Sequence, residues 1–430
     1  MRTSRYCLTL GAAVLALTGV VAAFNYAVDP YLLFDVERVP GFNDLKPAAA
    51  IRERMMKAYQ IERVRAHTIV IGSSRPDLGI DPASKAWPAS AQPVYNMSLV
   101  GSDVPDGLKY VRHYVAMRPG QGPRTLVVGL DFESSLYVPA AAPAGPPQPH
   151  RMSELEERLA VDAEGRPNPA RRQRVWKDHA QGLLSLDALY DSIDTVRNAR
   201  SDAVLNLEPN GHLSEAATRD VVRHDGYARV FDQKNIDTVQ QYAKPRRVMS
   251  DTPDGPIRKL GVLHDLFAFA KQHGIDVVLM IQPAHVSRLE LLDRMGYWAD
   301  YERWKRTLTA LAAQAGAGQR VALWDFGGYE PQVLETAPPK GSGKPDMAWF
   351  WDPVHYNGKL GEMMIARMFD PAHATEFGVL LTPANIEARL AQVRDDRTAF
   401  RDAMPQETAR LARLACGNDT CPASTLASAR

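Results

Sequence analysis

Two short segments of this 430-residue chain carry a serine, a histidine and an aspartate whose types fit nucleophilic acyl chemistry. The first is Gly72-Ser73-Ser74-Arg75, and the second, far along the chain, is Asp352-Pro353-Val354-His355. A serine hydroxyl is a weak nucleophile until a base removes its proton, and an imidazole can take that proton and return it. A carboxylate on the other ring nitrogen fixes the tautomer and stabilises the imidazolium. Ser74, His355 and Asp352 are therefore the candidate nucleophile, base and orienter. Backbone amides would hold the oxyanion, each typically worth about 3 kcal/mol. The segment Asn96-Met97-Ser98-Leu99-Val100-Gly101 has amides placed to face the same space.

These segments need a scaffold that brings them together. Thr68–Gly72 is a β-branched run ending in glycine, the pattern of a buried strand. Short strands are also expected over 94–98, 125–130, 276–281 and 321–325. Helical spacing is expected over 106–117, 257–273 with Gly274 as its C-cap, 301–315 and 358–368. Short apolar strands alternating with helices imply an α/β three-layer sandwich around a mostly parallel sheet. Ligands gather at the carboxyl ends of strands in such sheets, where Ser74, the 96–101 segment and the Asp352–His355 segment all fall. Residues 138–149 are rich in Pro and Ala and read as a surface loop. The polar stretch beyond, with helical patches over 153–160 and 186–200, reads as an inserted cap or subdomain. The expected division is 1–28 anchor or signal segment, 29–66 stalk or leading helix, 67–137 first part of the α/β domain, 138–255 insertion, 256–376 second part, and 377–430 helical tail.

Other residues near these strand ends have two readings each. Ser73 is a further donor candidate. Arg75 suits a substrate carboxylate or phosphate, or equally a structural ion pair. Asn96 is a pocket residue or a turn former. His285, in Gln282-Pro283-Ala284-His285, lines the pocket or lies on the surface. Trp349, Phe350 and Trp351 offer faces for sugar rings, or core packing. His224 and Asp225 are candidates to cap the site.

Lys plus Arg total 51 against 50 Asp plus Glu, a net charge of +1, which excludes the strong basic excess of a nucleic-acid binder. Arg2 and Arg5 precede an apolar run from Cys7 to Ala23, extended by Phe24 to Val28 to roughly membrane-spanning length. Basic residues at its start favour a cytoplasmic N-terminus, with the remainder outside the inner membrane. A cleaved signal peptide, with Val21-Ala22-Ala23 at the cleavage site, is the competing reading. Of the 3 cysteines, Cys416 and Cys421 are spaced to close a small loop in an oxidising compartment, or stand as unrelated thiols. They are too few for a zinc site, so no metal or cofactor is expected.

The strand-Gly72-Ser73-Ser74 beginning resembles the first block of the SGNH (GDSL-type) hydrolases, and Asp352-Pro353-Val354-His355 resembles their last, Asp-x-x-His. The resemblance covers roughly residues 66–135 and 255–370. It implies a flavodoxin-like sheet, Ser74 as nucleophile, and Gly101 at the place of the second block's oxyanion glycine. With the N-terminal anchor, it is nearest the membrane-anchored, cell-surface acyl-transfer branch, such as the proteins of teichoic-acid D-alanylation and alginate O-acetylation. That implies a serine-dependent O-acyltransferase or esterase acting on a cell-envelope or secreted polysaccharide, with a membrane acyl-donor protein as partner. Two positions depart from the pattern. Ser73 replaces the aspartate before the nucleophile. Gly129-Leu130-Asp131 puts a carboxylate where Gly-x-Asn would supply an oxyanion donor, and an ionised carboxylate cannot donate. Asp131 is the feature that favours the alternative, a non-catalytic envelope assembly or glycan-binding protein with an SGNH-like fold.

Overall fold

The structure is a computed structural model that describes residues 2–139, 153–243, 245–343, 345–372 and 375–416. Their contacts form two compact units, made of the described residues of Met1–Arg65, Lys109–Gly120 and His150–Thr218 and of Ala66–Leu108, Gln121–Pro149 and Arg219–Arg430. The expected single insertion over 138–255 is thus divided, with residues 153–218 in the first unit and 219–255 in the second.

The second unit is built on a six-stranded sheet in the order β2-β1-β3-β4-β5-β6, with β1 Thr68–Ile71, β2 Val94–Asn96, β3 Thr125–Leu130, β4 Asp276–Ile281, β5 Val321–Asp325 and β6 Val379–Leu380. The first five pair in parallel, and β6 adds antiparallel at the edge. The mixed α/β class and the mostly parallel sheet follow the sequence expectation. The edge strand β6 does not, since it opens the segment expected to be wholly helical. It is two residues long, too short for any periodicity to reveal it.

Strands of unbroken apolar residues need cover on both faces. Val70, Val127, Met280 and Trp324 face one side and pack with Leu360, Met364, Ile365 and Met368 of the helix Gly358–Phe369. On the other side, Gly107 of the helix Val104–Met117 lies so close to Ile71 that an added Cβ would sit 2.8 Å from its side chain. Gly274 takes a left-handed φ of 65° and caps the helix Val262–His273, as its position predicts.

The order 2-1-3-4-5 reverses direction between β1 and β3, and doubly wound sheets bind ligands at the carboxyl ends of the strands at such a switch point. Ser74 follows β1 there and Asp131 follows β3. A close helix crossing joins this point to the histidine segment. The short helix Ser74–Gly79 lies against Gly358–Phe369, and a Cβ on Gly361 would stand 1.6 Å from the Gly79 carbonyl oxygen. A Cβ on Gly79 would stand 2.1 Å from the Tyr356 ring. Gly361→Ala is therefore expected to force the two helices apart, to cost about 3 kcal/mol in urea unfolding, and to lower any Ser74-dependent activity with it. An unchanged unfolding midpoint would refute this packing account.

The first unit contains the N-terminal helix Arg2–Val28, the short helices Pro47–Ile51 and Glu53–Gln60, and the helical pair Arg171–Leu184 and Leu186–Asn198. Residues 29–66, expected as a stalk or leading helix, are largely packed: Leu32, Leu33, Ala49, Met56 and Ile61 are buried. The expected helical patch over 153–160 is only a 3-10 turn, Glu156–Arg158. The N-terminal helix is long and apolar enough over Arg5–Val28 to cross a membrane. The loop 140–152, with most of the Pro/Ala-rich stretch, and the proposed Cys416–Cys421 pairing lie outside the described side chains.

Candidate active site

The polypeptide after β1 turns at Gly72, and Ser73 caps the helix that follows, its hydroxyl accepting from the Arg75 amide at 3.3 Å. Ser74 is thereby the first helical residue, set above the carboxyl end of the sheet. The histidine arrives on a loop stitched at its base: the Trp351 amide donates to the His355 carbonyl at 2.9 Å and the Asn357 amide to the Trp349 carbonyl at 2.9 Å. Asn357 then caps Gly358–Phe369 through its side chain.

Within this loop, Asp352 Oδ1 accepts from the amides of Val354 and His355 at 2.7 and 2.9 Å. Its Oδ2 lies 2.7 Å from His355 Nδ1, and His355 Nε2 lies 2.8 Å from Ser74 Oγ. The three candidate residues form one continuous row, although 281 positions separate serine from histidine. Burial alone would raise the Asp352 carboxyl. The His355 charge and ring hydrogen bond, with the Val354 amide, outweigh it and hold the group at about 2. It is therefore an acceptor for the ring N–H throughout the neutral range, as an orienting carboxylate must be.

A second network lies directly behind the serine turn. Ser73 Oγ donates to Asp131 Oδ2 at 2.5 Å, and Arg75 pairs with Asp131 Oδ1 at 3.1 Å and with Glu133 at 3.2 Å. Arg288 reaches Glu133 from the far side at 2.8 Å. All four charged groups are buried. Burial alone would push Glu133 up, but the two guanidinium groups hold it at about 2. Asp131 and Glu133 keep Arg75 charged despite its desolvation. Arg75 is thus a structural ion-pair partner and not a site for a substrate anion. The Ser73 hydroxyl donates its hydrogen bond to Asp131, so it is not the replacement oxyanion donor.

Comparison with known protein families, curated proteins and solved structures finds no match to this chain. The site therefore stands on its own geometry.

Two pocket candidates make structural hydrogen bonds. Asn96 is fully buried, with Nδ2 donating to the Pro76 and Ile80 carbonyls at 2.8 Å each and Oδ1 accepting from the Ser98 amide at 3.0 Å. It ties the serine helix to the loop after β2. His285 is buried and caps the helix Val286–Arg294: Nδ1 accepts from the Ser287 amide at 3.2 Å and Nε2 donates to the Glu335 carbonyl at 2.6 Å. Its amide donates to the Pro353 carbonyl at 3.1 Å, so it braces the histidine loop from below. Gly101 sits at a turn closed by the Ser102 amide on the Leu99 carbonyl at 3.1 Å, with a φ of 66° that explains the glycine. The Leu99 amide donates to the Gly72 carbonyl at 3.0 Å, which staples this turn beside the serine turn.

Phe350 and Trp351 are buried in the core cluster, with Trp349 packed against it, so the aromatic run serves packing. His224 is exposed and pairs with Asp225 at 3.0 Å on the surface. Glu133, Arg288, Gln282 and Tyr356 escaped sequence reasoning. The Tyr356 hydroxyl donates to Gln282 Oε1 at 2.8 Å under the site. Only the position of Tyr356, next to His355, offered a signal.

Burial pushes His285 down to about 4. Its folded form excludes a proton that the unfolded chain binds below about 6.5. The neutral ring's stability is therefore complete above that pH and is lost as pH falls toward 4, about 3 kcal/mol in all. His285→Asn keeps a capping acceptor and removes the titration. It is expected to be less stable at pH 7 but to lose about 3 kcal/mol less between pH 7 and 4 in urea titrations. Parallel pH curves for the two proteins would refute this.

Proposed function

We propose that the chain is a serine-dependent O-acyltransferase or esterase that acts outside the inner membrane on a cell-envelope or secreted polysaccharide. The observation that carries the reading is the row Ser74 Oγ–His355 Nε2 at 2.8 Å and His355 Nδ1–Asp352 at 2.7 Å. It sits at the switch point of a parallel sheet, with an N-terminal helix able to anchor the chain.

In this mechanism Ser74 Oγ bonds to an acyl carbonyl carbon while its proton passes to His355 Nε2. The tetrahedral oxyanion is held by amides, for which those of Ser74 and Gly101 are the candidates. Collapse expels the donor's alcohol or thiol, which leaves with the proton from His355. A sugar hydroxyl or water then gives its proton to His355 and attacks the acyl-serine. The product is an acylated sugar or a free acid, and Ser74 is regenerated. A membrane acyl-donor protein would supply the acyl group in the transfer reaction.

The test uses full-length protein in detergent, a chromogenic acyl ester and a de-acylated polysaccharide. Acyl groups should appear on the polysaccharide or as free acid at a rate that depends on Ser74. Equal rates for wild type and Ser74→Ala would remove the catalytic reading. The alternative of a non-catalytic glycan-binding or assembly protein is favoured by one observation: Asp131, where an asparagine would donate, accepts from Ser73 and brings no donor.

A further inference from the structure

We propose that the tip of the helical hairpin formed by Arg171–Leu184 and Leu186–Asn198 rests in the headgroup–acyl boundary of the membrane. It would give the protein a second lipid contact beside its N-terminal helix. The inference rests on the reading that this helix spans the bilayer.

The level of the membrane surface is set by the helix itself. Its residues from Arg5 to Val20 are exposed, and Tyr6 and Tyr26, 67% and 52% exposed, mark its two ends. The helix between them is about 30 Å long at 1.5 Å per residue, the thickness of a hydrocarbon core. Tyrosines at both ends suit the two interfaces.

Two hydrogen bonds then fix the hairpin to the outer end of this span. Asn25 Nδ2 donates to the Leu183 carbonyl at 2.9 Å, and Asn25 Oδ1 accepts from Ser192 Oγ at 2.9 Å. A buried lysine, Lys46, donates from Nζ to the Val28 and Asp29 carbonyls at 2.6 and 3.0 Å, locking the helix end into the unit. Leu183 therefore stands level with the last turn of the span, and the connection Leu184-Ser185-Leu186 follows it directly.

That connection exposes what a lipid boundary would cover. Leu184 is 55% exposed, Leu186 78% and Tyr190 68%. Leu186, Tyr190 and the exposed Ile193 recur at the i, i+4, i+7 spacing of one helix face. The opposite face, Ala188, Ser192 and Thr195, is buried. Exposed apolar side chains in water normally occur singly, so a stripe of them continuous with a membrane helix needs a partner. The depth fixed by Asn25 makes that partner lipid, because a soluble protein would have to enter the headgroup layer to reach it.

The test is fluorescence quenching by lipids carrying a spin label at a shallow or a deep position. Full-length protein, with its native cysteines replaced by serine, is reconstituted in vesicles of zwitterionic and anionic phospholipid. A polarity-sensitive dye is placed in turn at Leu15→Cys, Leu186→Cys and Glu164→Cys. The expected result is deep quenching at position 15, shallow quenching at 186 several-fold above that at 164, and a blue-shifted emission at 186. Quenching at 15 with none at 186 beyond that at 164 would overturn the hairpin contact and leave the span intact. Loss of quenching at 15 as well would overturn the span, and the contact with it.

Discussion

Replacing Ser74 by alanine is expected to lower the acyl-transfer or ester-hydrolysis rate by a factor on the order of 10⁵ while leaving the fold unchanged. The basis is the row in which His355 Nε2 lies 2.8 Å from Ser74 Oγ. Members of such a row act as a unit, so losing the nucleophile or the base removes nearly the whole effect. His355→Ala should match Ser74→Ala, and the double variant should be no worse than either. Asp352→Asn should cost about 10⁴, through the wrong imidazole tautomer. It would leave the amides of Val354 and His355 a side-chain acceptor, so the loop itself should hold. Ser73→Ala is the informative neighbour. Its hydroxyl is committed to Asp131, so it should retain the bulk of the turnover. A Ser73 variant as inactive as the Ser74 variant would contradict the assignment of the nucleophile. The readout is initial rate with a chromogenic ester, alongside circular dichroism.

The second large effect is on stability. Arg75→Met leaves Asp131 buried with the Ser73 hydroxyl but without its guanidinium partner, while Glu133 keeps Arg288 at 2.8 Å. Removing one member of a buried ion pair typically costs about 3–5 kcal/mol, chiefly because the remaining charge is stranded. Urea unfolding of Arg75→Met should show a loss of that size. Arg75→Met combined with Asp131→Asn should be more stable than Arg75→Met alone, because the stranded charge is gone. The coupling between the two positions should be about 2 kcal/mol. Additive losses would mean that the 3.1 Å pair has no energetic consequence.

The same network shows where sequence reading stopped. Thr68–Ile71 and Asp276–Ile281 are legible as strands because apolar, β-branched runs of that length fit a sheet buried on both faces. Ser74 and the Asp352–His355 segment are legible because their local spacing follows chemistry. Asp131 shows the limit: the sequence reveals a carboxylate that cannot donate to an oxyanion, and only the structure reveals it as a member of a buried set with Arg75, Glu133 and Arg288. Arg288 lies 155 positions from Glu133, and no periodicity links them. Likewise Asn96 and His285 have the side chains of ligands, yet both satisfy backbone groups under the site. A polar residue at a strand end is ambiguous until its neighbours are known. Arg171–Leu184 and Tyr227–Tyr242 escaped because long polar and charged stretches mask their narrow buried faces.

The central claim is that Ser74, and not its neighbour Ser73, is the activated nucleophile. Its most direct test is labelling of the native full-length protein with a fluorophosphonate, followed by peptide mass spectrometry. A single adduct on Ser74, lost in His355→Ala and in unfolded protein, is the result expected from the 2.8 Å contact. An adduct on Ser73, or none on the folded protein, would contradict it.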